Sequence, residues 1–145
     1  MKILLVCSSG GHLTQMQALA PAFAGHELRW VTYEGGRTGS MDAYLLPYIG
    51  LRPHRYVTGL VRAWRILKAE RPDLLVSTGS EIAIPFLLLA RRFGTHTIYV
   101  ESVTRVRTPS GTVRVACRRA DDVYVQWPEL QRRLGPKARY EGGLL

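Results

Sequence analysis

The chain opens on an unbroken apolar run, Ile3 to Cys7, that passes directly into "SSGGHLTQM". A strand covered on both faces reads this way, whereas a strand with one wet face alternates. The signature returns in "HELRWVTY" (26–33), "DLLVSTG" (73–79), "HTIYVES" (96–102) and "DDVYVQ" (121–126). A last strand is expected around Arg139 to Glu141, and a third extended segment near Arg55 to Thr58.

Between these runs the period lengthens. Leu13, Met16, Leu19, Ala20 and Phe23 fall on one face of a helix expected from about Leu13 to Phe23. In "GLVRAWRILKAERPD" (59–73), Leu60, Val61, Trp64 and Leu67 share one face and Arg62, Arg65 and Lys68 another, with Pro72 ending the helix. Further helices are expected from about Ser80 to Phe93, after Thr112, and from Pro128. Strands alternating with helices predict one α/β domain, residues 1–145, with an open, mostly parallel sheet and helices on both faces.

Such sheets bind ligands beyond the carboxyl ends of their strands. Four loops fall there: Ser9–His12, Ser77–Glu81, Glu101–Arg105 and Gln126–Glu129. A further glycine-rich loop, 34–44, is long for a compact domain and is expected to be mobile or gated by ligand.

Charge narrows the partners. Twenty Lys and Arg against eleven Asp and Glu leave +9, which favours an anionic membrane surface, a phosphorylated substrate or nucleic acid. No nucleic-acid motif or aromatic stacking platform is present, so nucleic acid is set aside. The two cysteines have no metal-ligand spacing; no metal is expected, and scattered thiols suit the reducing cytosol. The longest apolar run, Ile82 to Ala90, is interrupted by Pro85 and is far short of the ~20 residues of a membrane span.

The opening loop matches neither the dinucleotide fingerprint nor the P-loop. Gly10 and Gly11 still let a ligand approach backbone N–H groups at a helix start, with His12 in the first turn; a tight turn with a capping histidine is the plainer alternative. In "STGSE", Gly79 can turn tightly, Ser80 can cap or bind a ligand oxygen, and Glu81 suits the helix dipole. In "ESVTR", Glu101 can act as a general base or orient a hydroxyl, and Arg105 can hold phosphate; a Glu101–Arg105 ion pair is the alternative. Arg62, Arg65 and Lys68 beside Trp64 can meet an anionic bilayer, or form a solvated outer face with Trp64 turned inward.

"SSGGHLTQM", "PDLLVSTGSEIAIP", "YVES.TR" and "ADDVYVQWPEL" followed by "Y.GGL" occur in an order that resembles the Alg14 family and bacterial exopolysaccharide proteins of the PssD/CpsF type. The opening loop also resembles the glycine-rich turn of MurG-type GT-B enzymes. The resemblance implies a Rossmann-like domain, the N-terminal, acceptor-side half of a split GT-B glycosyltransferase. A PssE/CpsG-like partner chain would supply the C-terminal half that holds most of the nucleotide-sugar. The pair would transfer a sugar from a UDP-sugar to a lipid-linked, polyprenyl-pyrophosphoryl sugar with inversion and without a cofactor.

Carried onto this sequence, the resemblance places Ser9, Gly10, Gly11 and His12 in a cleft near acceptor or donor phosphates. Gly79, Ser80 and Glu81 correspond to a G-S loop, and Glu101, Ser102 and Arg105 to an E-S-x-x-R element. Glu101 and His12 are the candidate bases; Glu101 is favoured because it follows a buried strand, leaving His12 to position the acceptor. Arg105 and Arg107 would hold the pyrophosphate, while Arg62, Arg65 and Lys68 would dock the domain peripherally on the inner face of the plasma membrane. Two departures stand out. Eukaryotic members carry an N-terminal membrane anchor where this chain starts with "KILLV", and a Glu where this chain has Gln15. The competing expectations are a non-catalytic scaffold that recruits a partner enzyme, and an unrelated nucleotide-binding module.

Overall fold

The computed structural model describes residues 1–145 apart from Gly36, Arg37, Ser40, Leu51 and Leu145. The apolar runs become parallel strands: β1 (Lys2–Cys7), β2 (Glu27–Tyr33), β3 (Ala43–Leu46), β4 (Leu74–Gly79), β5 (His96–Val100), β6 (Asp122–Val125) and β7 (Ala138–Tyr140). They form one sheet in the order β3-β2-β1-β4-β5-β6-β7. β1 is an interior strand, third in that order, with Ile3 paired to Leu28 on one side and Leu74 on the other. Every residue from Ile3 to Cys7 is fully buried, as a strand packed on both faces requires.

The helices are α1 (Gly11–Leu19), α2 (Pro53–Glu70), α3 (Ala83–Leu89), α4 (Gly111–Arg119) and α5 (Pro128–Leu134). The chain steps from β1 outward to β3, returns through α2 to β4, and then steps the other way. Right-handed crossovers therefore put α1 on one face and α2 to α5 on the other. Leu13 and Met16 of α1 pack on Ile3, Leu5 and Val76. The larger cluster joins Leu4, Val6 and Leu75 to Ala63, Phe86, Val113 and Leu130 of the four other helices. Helices cover both faces, but unevenly. The reversal of direction between β1 and β4 opens a crevice at their carboxyl ends, which is where ligands bind on such sheets.

Two expectations fail in one region. Residues 55–58 are helical, because α2 begins at Pro53, whose fixed φ suits a first turn; the third strand is Ala43–Leu46. The buried face of α2 is Gly59, Ala63, Ile66 and Leu67, while Val61 and Trp64 stand 47% and 40% exposed. Small residues decide the contact. A Cβ on Gly59 would lie 2.9 Å from Ile49 Cδ1 and 3.4 Å from Pro85 Cγ, so the helix seats on its glycine and turns Val61 outward. Trp64 does not point inward; its ring rests edge-on against Phe93 at 4.9 Å between centroids. The loop at 34–44 includes Gly36, Arg37 and Ser40, so its expected gating falls partly outside the described residues.

Candidate functional site

The β1–α1 junction turns on Gly10, whose φ of 77° and ψ of −136° suit only glycine. No side chain caps α1, so its leading N–H groups are left to the solvent side. His12, in the first turn, leans across to β4, where its Nδ1 lies 2.8 Å from the Thr78 carbonyl oxygen. Thr78 Oγ1 returns a 2.8 Å hydrogen bond to the His12 carbonyl. A carbonyl only accepts, so Nδ1 carries a proton and Nε2 is the ring nitrogen left to exchange one.

Gly79 is required by the same closure. Its φ is +111°, and a Cβ there would meet Tyr99 Oη at 3.0 Å and the His12 ring at 3.2 Å. Ser80 follows with φ 73°, a left-handed conformation uncommon for a non-glycine residue. It does not cap α3; its hydroxyl instead donates to Glu81 Oε2. Glu81 Oε1 accepts from Tyr33 Oη at 3.0 Å. Burial first, and then the Glu81 charge, push the Tyr33 phenol upward, so it stays a donor.

Glu101 is 1% exposed, and four hydrogen bonds reach its carboxylate. Oε1 accepts from the Ser102 N–H at 3.0 Å and Tyr99 Oη at 3.3 Å. Oε2 accepts from the Ser110 N–H at 3.1 Å and Ser110 Oγ at 2.6 Å. Ser110 is also the N-cap of α4, accepting from Val113 N. Glu101 thus pins both ends of the 102–110 loop. It spends its bonds on Tyr99, Ser102 and Ser110, with no ion pair to Arg105 among the described residues.

Gln15 is buried behind the cleft. Its Oε1 accepts from Val103 N and Gln126 Nε2, and its Nε2 donates to Ser102 Oγ at 3.2 Å. Gln126 Nε2 also reaches the Glu101 carbonyl, and Gln126 Oε1 accepts from Leu144 N. This amide pair ties α1 to the ends of β5 and β6 and to the final residues of the chain.

The rim loops enclose a cleft of about 440 Å³. Of the residues singled out in the sequence, His12, Ser80, Glu81, Glu101, Ser102 and Arg105 line it. Gly79 sits behind it as a wedge between His12 and Tyr99. Ser9, Gly10 and Gly11 stand beside His12 but outside the lining, and Arg107 shares an adjoining open depression with Arg105. Arg62 lines a separate groove, while Arg65 and Lys68 are exposed farther along α2. Tyr56, Tyr99, Ser110 and Thr112 also line the cleft, and sequence reasoning missed them. Only Ser110 carried a signal, as a serine before a short helix. Among the described residues no group of three His, Cys, Asp or Glu gathers to hold a metal, and no helix is long and apolar enough to cross a membrane.

A family model described as "Oligosaccharide biosynthesis protein Alg14 like" matches residues 52–144. The chain belongs to the Alg14-like family. That family is the N-terminal half of a split GT-B glycosyltransferase. The chain is also 28% identical to a UDP-N-acetylglucosamine--N-acetylmuramyl-(pentapeptide) pyrophosphoryl-undecaprenol N-acetylglucosamine transferase of Lachnospira eligens, over 89% of this chain and 41% of the relative. The Salinibacter ruber protein of the same name is 30% identical, over 82% and 30%. Among solved structures, Acinetobacter baumannii MurG superposes with a TM-score of 0.73 at 19% identity, covering 90% of this chain and 42% of that one. UDP-N-acetylglucosamine 2-epimerase from Rickettsia bellii gives 0.77 at 13%, covering 99% and 45%. The Alg14-like chain therefore spans less than half the length of these proteins. Its fold is the Rossmann-like α/β domain that the motifs imply.

Proposed function

We propose that this domain is the acceptor-side half of a two-component inverting glycosyltransferase that moves a sugar from a UDP-sugar onto a polyprenyl-pyrophosphoryl sugar. The relatives named above act on a pyrophosphoryl-undecaprenol acceptor, and their similarity supports that substrate class. A PssE/CpsG-like partner chain supplies the second half and most of the UDP-sugar site. The domain works peripherally at the inner face of the plasma membrane, with Arg65 and Lys68 toward anionic headgroups.

The observation that supports the assignment is the His12–Thr78 hydrogen bond, which engages Nδ1 and leaves Nε2 of a cleft-lining imidazole free to act as the base. Nε2 takes the proton of the acceptor hydroxyl as its oxygen attacks the anomeric carbon, and UDP departs with the electrons of the broken C–O bond. The Thr78 carbonyl steadies the imidazolium that forms. Glu101 is the positioning residue: it sets the loop that presents Ser102 and Arg105, and Arg105 meets the pyrophosphate. The leading N–H groups of α1, reached past Gly10 and Gly11, face a second phosphate.

The test is transfer from UDP-sugars to a lipid-linked acceptor by the chain co-expressed with its partner. His12→Ala is expected to cut kcat by about 10²–10⁴-fold while the fold persists. Undiminished turnover in His12→Ala would leave the domain as a scaffold that recruits the partner.

A further inference from the structure

Glu81 lines the cleft together with His12, Glu101 and Arg105, yet it has no charged partner. It is half-buried, caps no helix, and among the described residues meets no arginine, lysine or histidine. Hydroxyls alone hold its carboxylate. Oε1 accepts from Tyr33 Oη at 3.0 Å, and Oε2 accepts from Ser80 Oγ. A carboxylate oxygen has two lone pairs, so each keeps one for a ligand. Ser80, which sets this arrangement, is held at the strained φ of 73°. Strain of that kind persists where a site needs the geometry.

Tyr56 stands on the same wall. Its ring packs against the core and still lines the cleft. Burial first, and then the Glu81 charge, push its phenol upward, so ring and carboxylate are neighbours. An aromatic ring beside a carboxylate with free lone pairs suits a sugar. The C–H face of the pyranose lies on the ring, and its hydroxyls donate to the carboxylate.

We propose that Glu81 and Tyr56 seat the acceptor sugar, and that Glu81 makes this subsite select an uncharged sugar over a uronic acid. The inference rests on the function proposed above and adds what the site rejects. Glu81 can only accept, so a sugar hydroxyl satisfies it and a sugar carboxylate does not. A uronic acid would carry its charge on the same ring that Glu81 holds. At ~6 Å and an effective dielectric constant of about 20, that repulsion amounts to roughly 100-fold in affinity. Glu101 adds a charge of the same sign, while Arg105, the one arginine of the lining, is taken up by the diphosphate.

Steady-state transfer by the co-expressed pair tests this. The acceptors are polyprenyl-diphosphate-linked glucose, galactose and N-acetylglucosamine, each beside its own uronic acid. For the best neutral acceptor, kcat/KM is expected to exceed that of its uronic acid by at least ~10-fold. Glu81→Gln keeps the shape and removes the charge. It is expected to raise the KM of the neutral acceptor about 10-fold, with kcat and the UDP-sugar KM little changed, and to erase most of the preference. Glu81→Asp retains the charge and is expected to go on rejecting the uronic acid. An equal or higher kcat/KM for the uronic acid in the wild-type pair overturns the proposal, whether or not any variant folds. So does a preference that Glu81→Gln leaves intact, or one that Glu81→Asp abolishes as fully as Glu81→Gln. Transfer without preference removes the subsite and leaves the glycosyltransferase; no transfer to any acceptor by the wild-type pair removes both.

Discussion

Glu101→Gln separates two roles that the sequence could not tell apart. The carboxylate accepts from two backbone N–H groups and two hydroxyls. An amide has one oxygen and one NH2, so whichever way Gln sits, its NH2 faces either the Ser102 N–H or the Ser110 N–H. The neighbouring hydroxyl can reverse and accept, but the backbone N–H cannot. One buried donor is thus orphaned at about 1–3 kcal/mol, and the charge assistance of the other bonds is lost as well. A total near 3 kcal/mol corresponds, in a domain of this size, to a melting point lower by roughly 10 °C. Thermal unfolding followed by circular dichroism measures it, beside single-turnover transfer by the co-expressed pair at a temperature where both proteins are folded. The expected result is a large fall in Tm with turnover reduced less than ~10-fold. A variant with unchanged Tm and a loss of 10³-fold or more would refute the argument and restore Glu101 as the base.

Gly79→Ala should cost roughly 1–3 kcal/mol in urea unfolding, because its φ is +111° and the new methyl meets Tyr99 and His12; transfer should fail with it. Burial pushes the Cys7 thiol up to about 12, so iodoacetamide at neutral pH should leave Cys7 unlabelled by mass spectrometry until denaturant is added. Arg71→Gly should raise stability by about 1 kcal/mol, since Arg71 closes α2 with φ 44°. Glu70 is held below its usual value by the Tyr44 hydroxyl first, against its own burial, and then by Lys2 and Arg29. Its folded value is depressed, so its stabilisation is present above pH 4.5 and is lost as pH falls through the folded value. Glu70→Gln should therefore lower the urea midpoint at pH 7 and match the wild type in acid.

Most of the sheet was legible because β1 and β4 carry unbroken apolar runs and β2, β5 and β6 concentrate Val, Ile, Leu and aromatic residues between turn signals. β3 was not, since "AYLL" runs straight on from a glycine-rich loop and into Pro47, with no boundary of its own to mark it as a strand. The start of α2 was misread for a related reason. His54 to Val57 carry no 3.6-residue stripe of their own and become helical by continuing from Pro53 into the strongly periodic stretch beyond. Periodicity likewise selected Val61 and Trp64 as core. The deciding contact was a steric one, Gly59 against Ile49 and Pro85, made with residues 10 and 26 positions away.

The site shows the same division between place and direction. Topology alone brought His12, Ser80, Glu81, Glu101 and Arg105 to one rim, because each lies at or just beyond the carboxyl end of a strand that reads clearly. Which of them faces the cleft with a free lone pair depends on partners set by tertiary structure. His12 is tied down through Nδ1 by a carbonyl 66 residues away, which leaves Nε2 open. Glu101 is closed by Ser110, nine residues on across a loop whose path no local pattern reveals. Gln15 has the same character: its amide both donates and accepts within the Ser102–Val103–Gln126 set. A carboxylate there could only accept, and would forfeit the bond to Ser102 Oγ unless that hydroxyl turned to donate. Gln15 thus owes its place to hydrogen-bond polarity: this set needs one side chain that both donates and accepts.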